Sequence, residues 1–377
     1  MKTAANDRFF LCYFETTRRC NLHCSGCMAR QDSTDDADEF TTEEAKRLVL
    51  DEIPRISSNA AVAFSGGEHL LRPDAYELLE YAAGKNLWSF VNTNGRLLLE
   101  GDAVSRALRA TDGKVIFVLP LNSVDPDINR ASRDDDPATV LQAAERCEKE
   151  GAPYFFIVTI SKANLGTLDE TIRFVRQKGV PLLRSPFVPR GAAKGLPDQL
   201  FDAEDMKRII HPALTSYALS YISFIPFFGS PGIMKAGGRY LRLRTDGVGC
   251  QAGRSFAAVN PEGDVAPCVH LLDSACVRGN VRSERLSEIV RNDSLFNALR
   301  ERTELKGKCG RCRYRDTCGG CRALAYYHTG DPLGEDPTCF FEPEDESSRS
   351  KLEVKQTAQL GKFLLYVKRN EPWKSFL

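Results

Sequence analysis

The 377-residue chain has no excess of either charge: 51 Lys and Arg cancel 51 Asp and Glu. That balance argues against a protein built to coat nucleic acid or an anionic membrane. Nothing approaches the roughly 20 apolar residues that span a bilayer, and Met1–Arg8 holds no apolar secretion core. A cytoplasmic location is therefore expected, with no membrane span and no nucleic-acid partner. Internal repeats and low-complexity tracts are absent. A disulfide framework is also disfavoured. The 13 cysteines belong to a long chain without an export signal and concentrate in two close-spaced groups, as metal or iron–sulfur ligands do in a reducing compartment.

From residue 8 to about 190, short apolar runs alternate with helical periods. Strands are predicted at Phe9–Phe14, Ala60–Ser65, Leu87–Asn92, Lys114–Leu121, Tyr154–Ile160 and Pro181–Val188. Helices are predicted at Thr42–Ile53, Pro73–Ala83, Gly101–Ala110, Ala138–Glu150 and Leu168–Lys178. This alternation implies α/β architecture: parallel strands with right-handed crossovers, six units of an incomplete barrel, with functional groups at the strand C-termini. The expected divisions are a partial (β/α)6 barrel over 1–190, a connection over 191–235 and a cysteine-rich extension over 236–345. A helical tail would occupy 346–377. The connection is expected to hold a helix near Ala203–Leu219 and the apolar loop Phe224–Gly232.

A fourth nearby cysteine is missing after Arg19-Cys-Asn-Leu-His-Cys-Ser-Gly-Cys-Met28. Cys20, Cys24 and Cys27 can hold three irons of a [4Fe–4S] cube and leave one iron open, whereas electron-transfer clusters use four cysteines. Zinc is the competing reading. The spacing resembles the cluster loop of radical SAM (S-adenosylmethionine) enzymes, in which SAM fills the open iron. The resemblance extends to Ser65-Gly-Gly-Glu68 after the second strand, where glycines admit the SAM amino group. It extends also to Thr93-Asn94-Gly95 after the third strand.

Carried over by position, the resemblance implies SAM contacts from Ser65, Gly66, Gly67, Glu68, Asn94, Ser161 and Asn164. Arg184, or instead Arg190, would take the SAM carboxylate. Two positions depart from the family pattern. Gly26 stands where an aromatic usually precedes the third cysteine, and His69 replaces a proline after Glu68. His69 reads as a solvated turn residue, with local proton donation as the alternative.

The second group runs Cys250, Gly263, Cys268, then Cys309-Gly-Arg-Cys312, Cys318, Cys321 and Cys339. It resembles the SPASM extension of radical SAM enzymes, with one residue fewer between Cys318 and Cys321 than usual. The resemblance implies one or two auxiliary [4Fe–4S] clusters. Cys309, Cys312, Cys318 and Cys339 would hold one; Cys250, Cys268 and Cys321 would hold the other. Its fourth position would stay open or take Asp246, Cys276 or a substrate atom. A zinc ribbon is the competing reading, as is a purely structural role for Cys250, Cys268 and Cys321. The turn Asn260–Gly263 reads as a hairpin bringing Cys250 towards Cys268. Cys12 and Cys147 read as core residues.

The resemblance implies reductive cleavage of SAM to a 5′-deoxyadenosyl radical, hydrogen abstraction and oxidation of the substrate radical through auxiliary clusters. A flavodoxin- or ferredoxin-type protein would supply electrons. The stretch from Gly307 to Cys339 is similar to enzymes of alternative haem and haem d1 biosynthesis and to the mycofactocin and pyrroloquinoline quinone maturases. Lys235, Arg239, Arg242, Arg244 and Arg254 beside Phe224–Gly232 read either as a solvated basic strand or as a cationic, apolar wall suited to a tetrapyrrole or other carboxylated small molecule, which is the expected substrate class. The alternative is a precursor peptide. Only about eight residues precede the first strand, so that peptide would need a separate leader-binding protein. An electron carrier or zinc scaffold is the reading from another class.

Overall fold

A computed structural model describes residues 9–30, 39–215, 220–222, 249–272, 274–316 and 318–343. The loop Phe224–Gly232, Lys235, Arg239, Arg242, Arg244, Asp246 and the tail from 346 lie outside the described residues.

Six parallel strands form the body: β1 (Phe10–Thr17), β2 (Ala60–Gly66), β3 (Trp88–Asn92), β4 (Val115–Pro120), β5 (Tyr154–Ile160) and β6 (Leu182–Pro186). Helices α1 (Ala75–Gly84), α2 (Ala103–Ala110), α3 (Pro126–Arg133), α4 (Pro137–Glu150) and α5 (Leu168–Lys178) cross between them. Covered strands read as continuous apolar runs; in β4, Val115 to Leu119 are all buried. Cys12 and Cys147 pack in this core at 0% exposure.

The expected helix over Thr42–Ile53 is broken in three. A turn capped by Thr41 leads into a π-helical segment, Ala45–Leu50, and a short helix follows at Ile53–Ile56. Pro54 has no N–H to offer the Leu50 carbonyl and instead suits a helix start. An unexpected helix, α3, begins where Asp125 accepts bonds from the Asp127 and Ile128 amides with Pro126 in its first turn.

The strand arrangement extends further than expected. β7 (Ser220–Ile222) adds to β6, and β8 (Phe256–Val259) pairs in parallel with β1, Leu11 opposite Phe256. The hairpin of β8 with β9 (Asp264–Ala266), then β10 (Gly279–Asn280), completes an open sheet of order β10-β9-β8-β1-β2-β3-β4-β5-β6-β7. The extension thus grows from the same sheet as the barrel. β1 and β2 stay in register to Glu15 opposite Ser65, then a bulge sets Thr17 opposite Gly66. That bulge turns the chain out of the sheet just before Cys20. No helix of the described residues is long and apolar enough to cross a membrane.

Candidate functional site

A cavity of about 360 Å³ opens at the C-terminal ends of the strands, within the size range of small-molecule sites. Cys20, Cys24 and Cys27 form one wall, and Ser65, Gly66 and Gly67 border them. Burial raises the Cys20 and Cys24 thiols, and Cys27 adds to both rises. The loop that carries them docks on the end of α3. Ser25 Oγ donates to the Ala131 carbonyl at 2.8 Å, Cys24 Sγ to the Arg133 carbonyl at 2.7 Å, and the His23 amide to Asp134 at 2.9 Å.

The Ser65–Glu68 loop lies directly on the cysteine loop. The Gly67 amide donates to the Thr17 carbonyl at 2.7 Å and the Glu68 amide to the Arg19 carbonyl at 2.8 Å. A Cβ on Gly67 would stand 2.0 Å from the Arg19 oxygen, so only glycine permits this approach. Asn94 also lines the cavity; its amide nitrogen reaches Asn21 at 2.6 Å and lies 3.9 Å from Cys20 Sγ.

Other expected contacts stand back from the cavity. The Glu68 carboxyl is buried and accepts the Asn94 amide at 2.8 Å, the Thr93 hydroxyl at 3.0 Å and the Leu70 amide at 3.3 Å. It ties one wall to the next, and burial pushes its pKa up to about 7. Ser161 lines the cavity, whereas Asn164 is buried behind it. The Asn164 side chain accepts the Ser161 amide at 3.0 Å and donates to the Thr159 and Asn122 carbonyls at 2.8 and 3.1 Å.

The structure places Arg184 away from the cavity. It is fully buried, reaches the Ile209 carbonyl of α6 (Ala203–Thr215) at 3.5 Å, and burial lowers its pKa to about 9. The next residue, Ser185, lines the cavity instead, as strand alternation requires. Arg190 is equally remote, held by both Glu15 oxygens at 2.9 and 2.8 Å. Arg254 binds the Asp316 carbonyl at 3.4 Å and does not line the cavity. His69 is not solvated: at 0% exposure it stacks on Phe64 at 4.6 Å and meets Thr16 Oγ1 at 2.9 Å.

Sequence reasoning missed Asn122, Phe187 and His270, which all line the cavity. Asn122 follows β4, the position where barrel sites gather their polar groups. Phe187 follows β6 and reaches Gly26, whose Cβ would lie 3.6 Å from its ring. The chain thus sets an aromatic from another strand against the glycine of the cysteine loop. His270 comes from the extension, and nothing in its local sequence signals its place.

The remaining thiols separate into two sets. Cys309, Cys312, Cys318 and Cys339 line a small cavity of about 30 Å³. Cys309 Sγ accepts the Asp336 amide at 3.4 Å and Arg322 Nη2 at 3.5 Å; Cys318 Sγ accepts the Gly320 amide at 3.4 Å. A Cβ on Gly320 would come within 3.0 Å of Cys309 Sγ, so the backbone is bare where the sulfurs gather. In the other set, burial drives Cys268 up to about 12 and Cys321 well above its ordinary value, and Cys250 adds to both. The Asn260–Gly263 turn joins β8 and β9 as a hairpin, and Cys250 lies close enough to Cys268 to raise its thiol. Among the described residues no three His, Cys, Asp or Glu side chains close on a single-ion point. Sulfurs that line one cavity and accept N–H donors, as Cys309 and Cys318 do, are a donor set suited to an iron–sulfur cube.

Residues 14–175 match the radical SAM superfamily, and residues 250–321 match the SPASM iron-sulfur cluster-binding domain. Over 346 residues the chain is 33% identical to the AdoMet-dependent heme synthase of Methanosarcina barkeri, covering 88% of this chain and 96% of that protein. The chain belongs to the radical SAM superfamily. It is a radical SAM enzyme with a SPASM extension, and its cofactors are SAM and iron–sulfur clusters. It is also 30% identical over 333 residues to the mycofactocin maturase MftC of Mycobacterium tuberculosis, covering 86% of this chain and 81% of that one. Among solved structures, Streptococcus suis SuiB bound to precursor peptide SuiA superimposes with a TM-score of 0.69 at 17% identity, covering 89% of this chain and 76% of that one. At that identity the likeness is one of fold.

Proposed function

We propose that this radical SAM enzyme performs an oxidative conversion on a tetrapyrrole or other carboxylated small molecule. The reading rests on one observation: Cys20, Cys24 and Cys27, the Gly66–Gly67 loop and His270 of the extension all face one cavity. Cys20, Cys24 and Cys27 would hold the cluster with the open iron. When bound and reduced, that cluster supplies the electron that cleaves SAM to a 5′-deoxyadenosyl radical. Ser65, Gly66, Gly67, Asn94 and Ser161 would border SAM, while Glu68 and Asn164 fix the loops that carry them. Phe187 against Gly26 offers an apolar face for a flat ring.

Cys309, Cys312, Cys318 and Cys339 would hold one auxiliary cluster and Cys250, Cys268 and Cys321 the other, accepting the electron left on the substrate. The tetrapyrrole reading is supported by the heme synthase relative. The MftC relative supports a second reading, a ribosomally made precursor peptide with a separate leader-binding protein. A flavodoxin- or ferredoxin-type donor completes either scheme.

The test is anaerobic reconstitution, iron and sulfide counting, and chromatography for 5′-deoxyadenosine after SAM and dithionite. Deoxyadenosine with more iron than one cube holds supports the reading; zinc without deoxyadenosine removes it. Mass spectrometry of incubations with a porphyrin bearing propionates, and in parallel with a precursor peptide, then separates the two substrate classes.

A further inference from the structure

His270 stands between two sites that the fold brings together. Its Nδ1 lies 3.4 Å from Cys268 Sγ, and its Nε2 lies 3.0 Å from the hydroxyl of Ser185. Ser185 and His270 both line the main cavity. The backbone that carries the ring is held as well, because the His270 carbonyl accepts the Tyr327 hydroxyl at 3.1 Å. Tyr327 belongs to helix α7 (Arg322–Thr329), which starts directly after Cys321. One thiol of this set, Cys268, thus touches the imidazole directly, and the backbone that carries it is tied to the helix that follows another, Cys321.

We infer that His270 is a positioning residue that donates an N–H···S hydrogen bond to Cys268 and thereby raises the reduction potential of the cluster held by Cys250, Cys268 and Cys321. This rests on the ligand assignment made above. A metal-bound thiolate has no proton to give, so across this contact Nδ1 must be the donor. Nε2 then accepts a hydrogen bond from the Ser185 hydroxyl. An N–H···S bond strengthens as negative charge accumulates on sulfur, so it favours the reduced cluster, and hydrogen bonds to sulfur are a recognised lever on such potentials. The separation of 3.4 Å suits a hydrogen bond to sulfur. The imidazole both touches a sulfur of this set and borders the cavity.

The experiment is an EPR-monitored redox titration of the full-length, reconstituted protein, in which the signal of this cluster is the one that Cys268→Ala removes. His270→Leu should make one cluster signal harder to reduce, with the oxidised-to-reduced ratio at fixed poise changing about tenfold, about 59 mV for one electron. His270→Asn, whose amide nitrogen falls near the Nδ1 position, should restore most of the shift with the same iron content. A signal that is present, is lost in Cys268→Ala, and keeps its potential in His270→Leu overturns the inference. A shift confined to a signal that survives Cys268→Ala does so as well. If the parent protein carries no signal that Cys268→Ala removes, the ligand assignment itself fails, and the inference falls with it for that separate reason.

Discussion

Gly67→Ala tests the contact that joins the cysteine loop to the glycine loop. The new methyl carbon would lie 2.0 Å from the Arg19 carbonyl oxygen, 2.6 Å from its carbon and 2.8 Å from the Arg18 oxygen. All three are backbone atoms, so no side chain can swing aside, and the loops must part by about 1 Å to reach ordinary contact. Parting them strains or breaks the Gly67–Thr17 and Glu68–Arg19 hydrogen bonds, now 2.7 and 2.8 Å. At about 1 kcal/mol each for the bonds, plus a similar penalty for each buried group left unpaired, the local loss is about 3–4 kcal/mol. A shift of that size at a reacting centre costs on the order of 100-fold in rate. The assay is the rate of 5′-deoxyadenosine formation with dithionite, beside a thermal melt. Gly84→Ala serves as control, because its Cβ meets nothing within 4 Å at the end of α1; it should leave cleavage unchanged and raise stability by up to about 1 kcal/mol. Wild-type cleavage and an unchanged melt in Gly67→Ala would refute the reasoning.

Cys27→Ala should abolish SAM cleavage while most of the auxiliary iron stays bound; full cleavage would remove the assignment of the first cluster. Cys312→Ala should keep some SAM cleavage uncoupled from product, and product at wild-type yield from the folded variant would count against an auxiliary role for its cavity. Burial pushes Glu68 up from 4.5 to about 7, so the fold holds a proton that the unfolded chain releases. Its contribution is full below about 4.5 and is lost as pH rises through about 7, with a slope of up to about 1.4 kcal/mol per pH unit. Unfolding free energies from pH 5 to 8 should show that slope in the difference between wild type and Glu68→Gln, and a flat difference would dismiss it. Glu15→Gln should destabilise by about 3 kcal/mol in denaturant unfolding, since it leaves the buried guanidinium groups of Arg18 and Arg190 beside a neutral amide; an unchanged midpoint would argue against that network.

The parts of the site written as local spacing were legible from the sequence. Three cysteines on one loop must fall together, and so must Cys309, Cys312 and Cys318. Strand β5 and helix α5 follow directly from hydrophobic period, which is a local property. What escaped depends on facing and on distant partners. The run Pro181–Val188 is apolar on both faces, so period alone could not say whether Arg184 or Ser185 meets the cavity. His69 follows Glu68 in a turn, yet the turn folds inward against Phe64, and the imidazole is buried. α3 carried a readable start in Asp125-Pro126, but its short amphipathic stretch was passed over, although it is the ledge on which the cysteine loop rests. The partner of β1 on its other side, β8, lies more than two hundred residues away in sequence and carries no local mark of that pairing.

That pairing explains how the cysteine loop and His270 of the extension come to line one cavity. β1 delivers the cysteine loop, β8 delivers the hairpin with Cys268 and His270, and the two strands lie side by side. A buried ionic group fastens the same junction: Glu15 at the end of β1 binds Arg190 at 2.9 and 2.8 Å, and Arg190 also reaches the Val269 carbonyl at 2.9 Å. Arg18 binds the Ala29 carbonyl just past the cysteine loop at 3.0 Å and Glu262 in the β8–β9 turn at 3.0 and 2.7 Å. Each arginine thus binds acceptors from both the barrel and the extension. Burying such charges is costly unless every partner is in place, so the network tolerates only one relative placement of the two loops. Apolar packing of the same size would allow sliding by a fraction of an ångström; paired charges with fixed fork geometry do not. The ion network thus fixes the separation of the cysteine loop and the hairpin that carries Cys268 where the sheet alone would leave it loose.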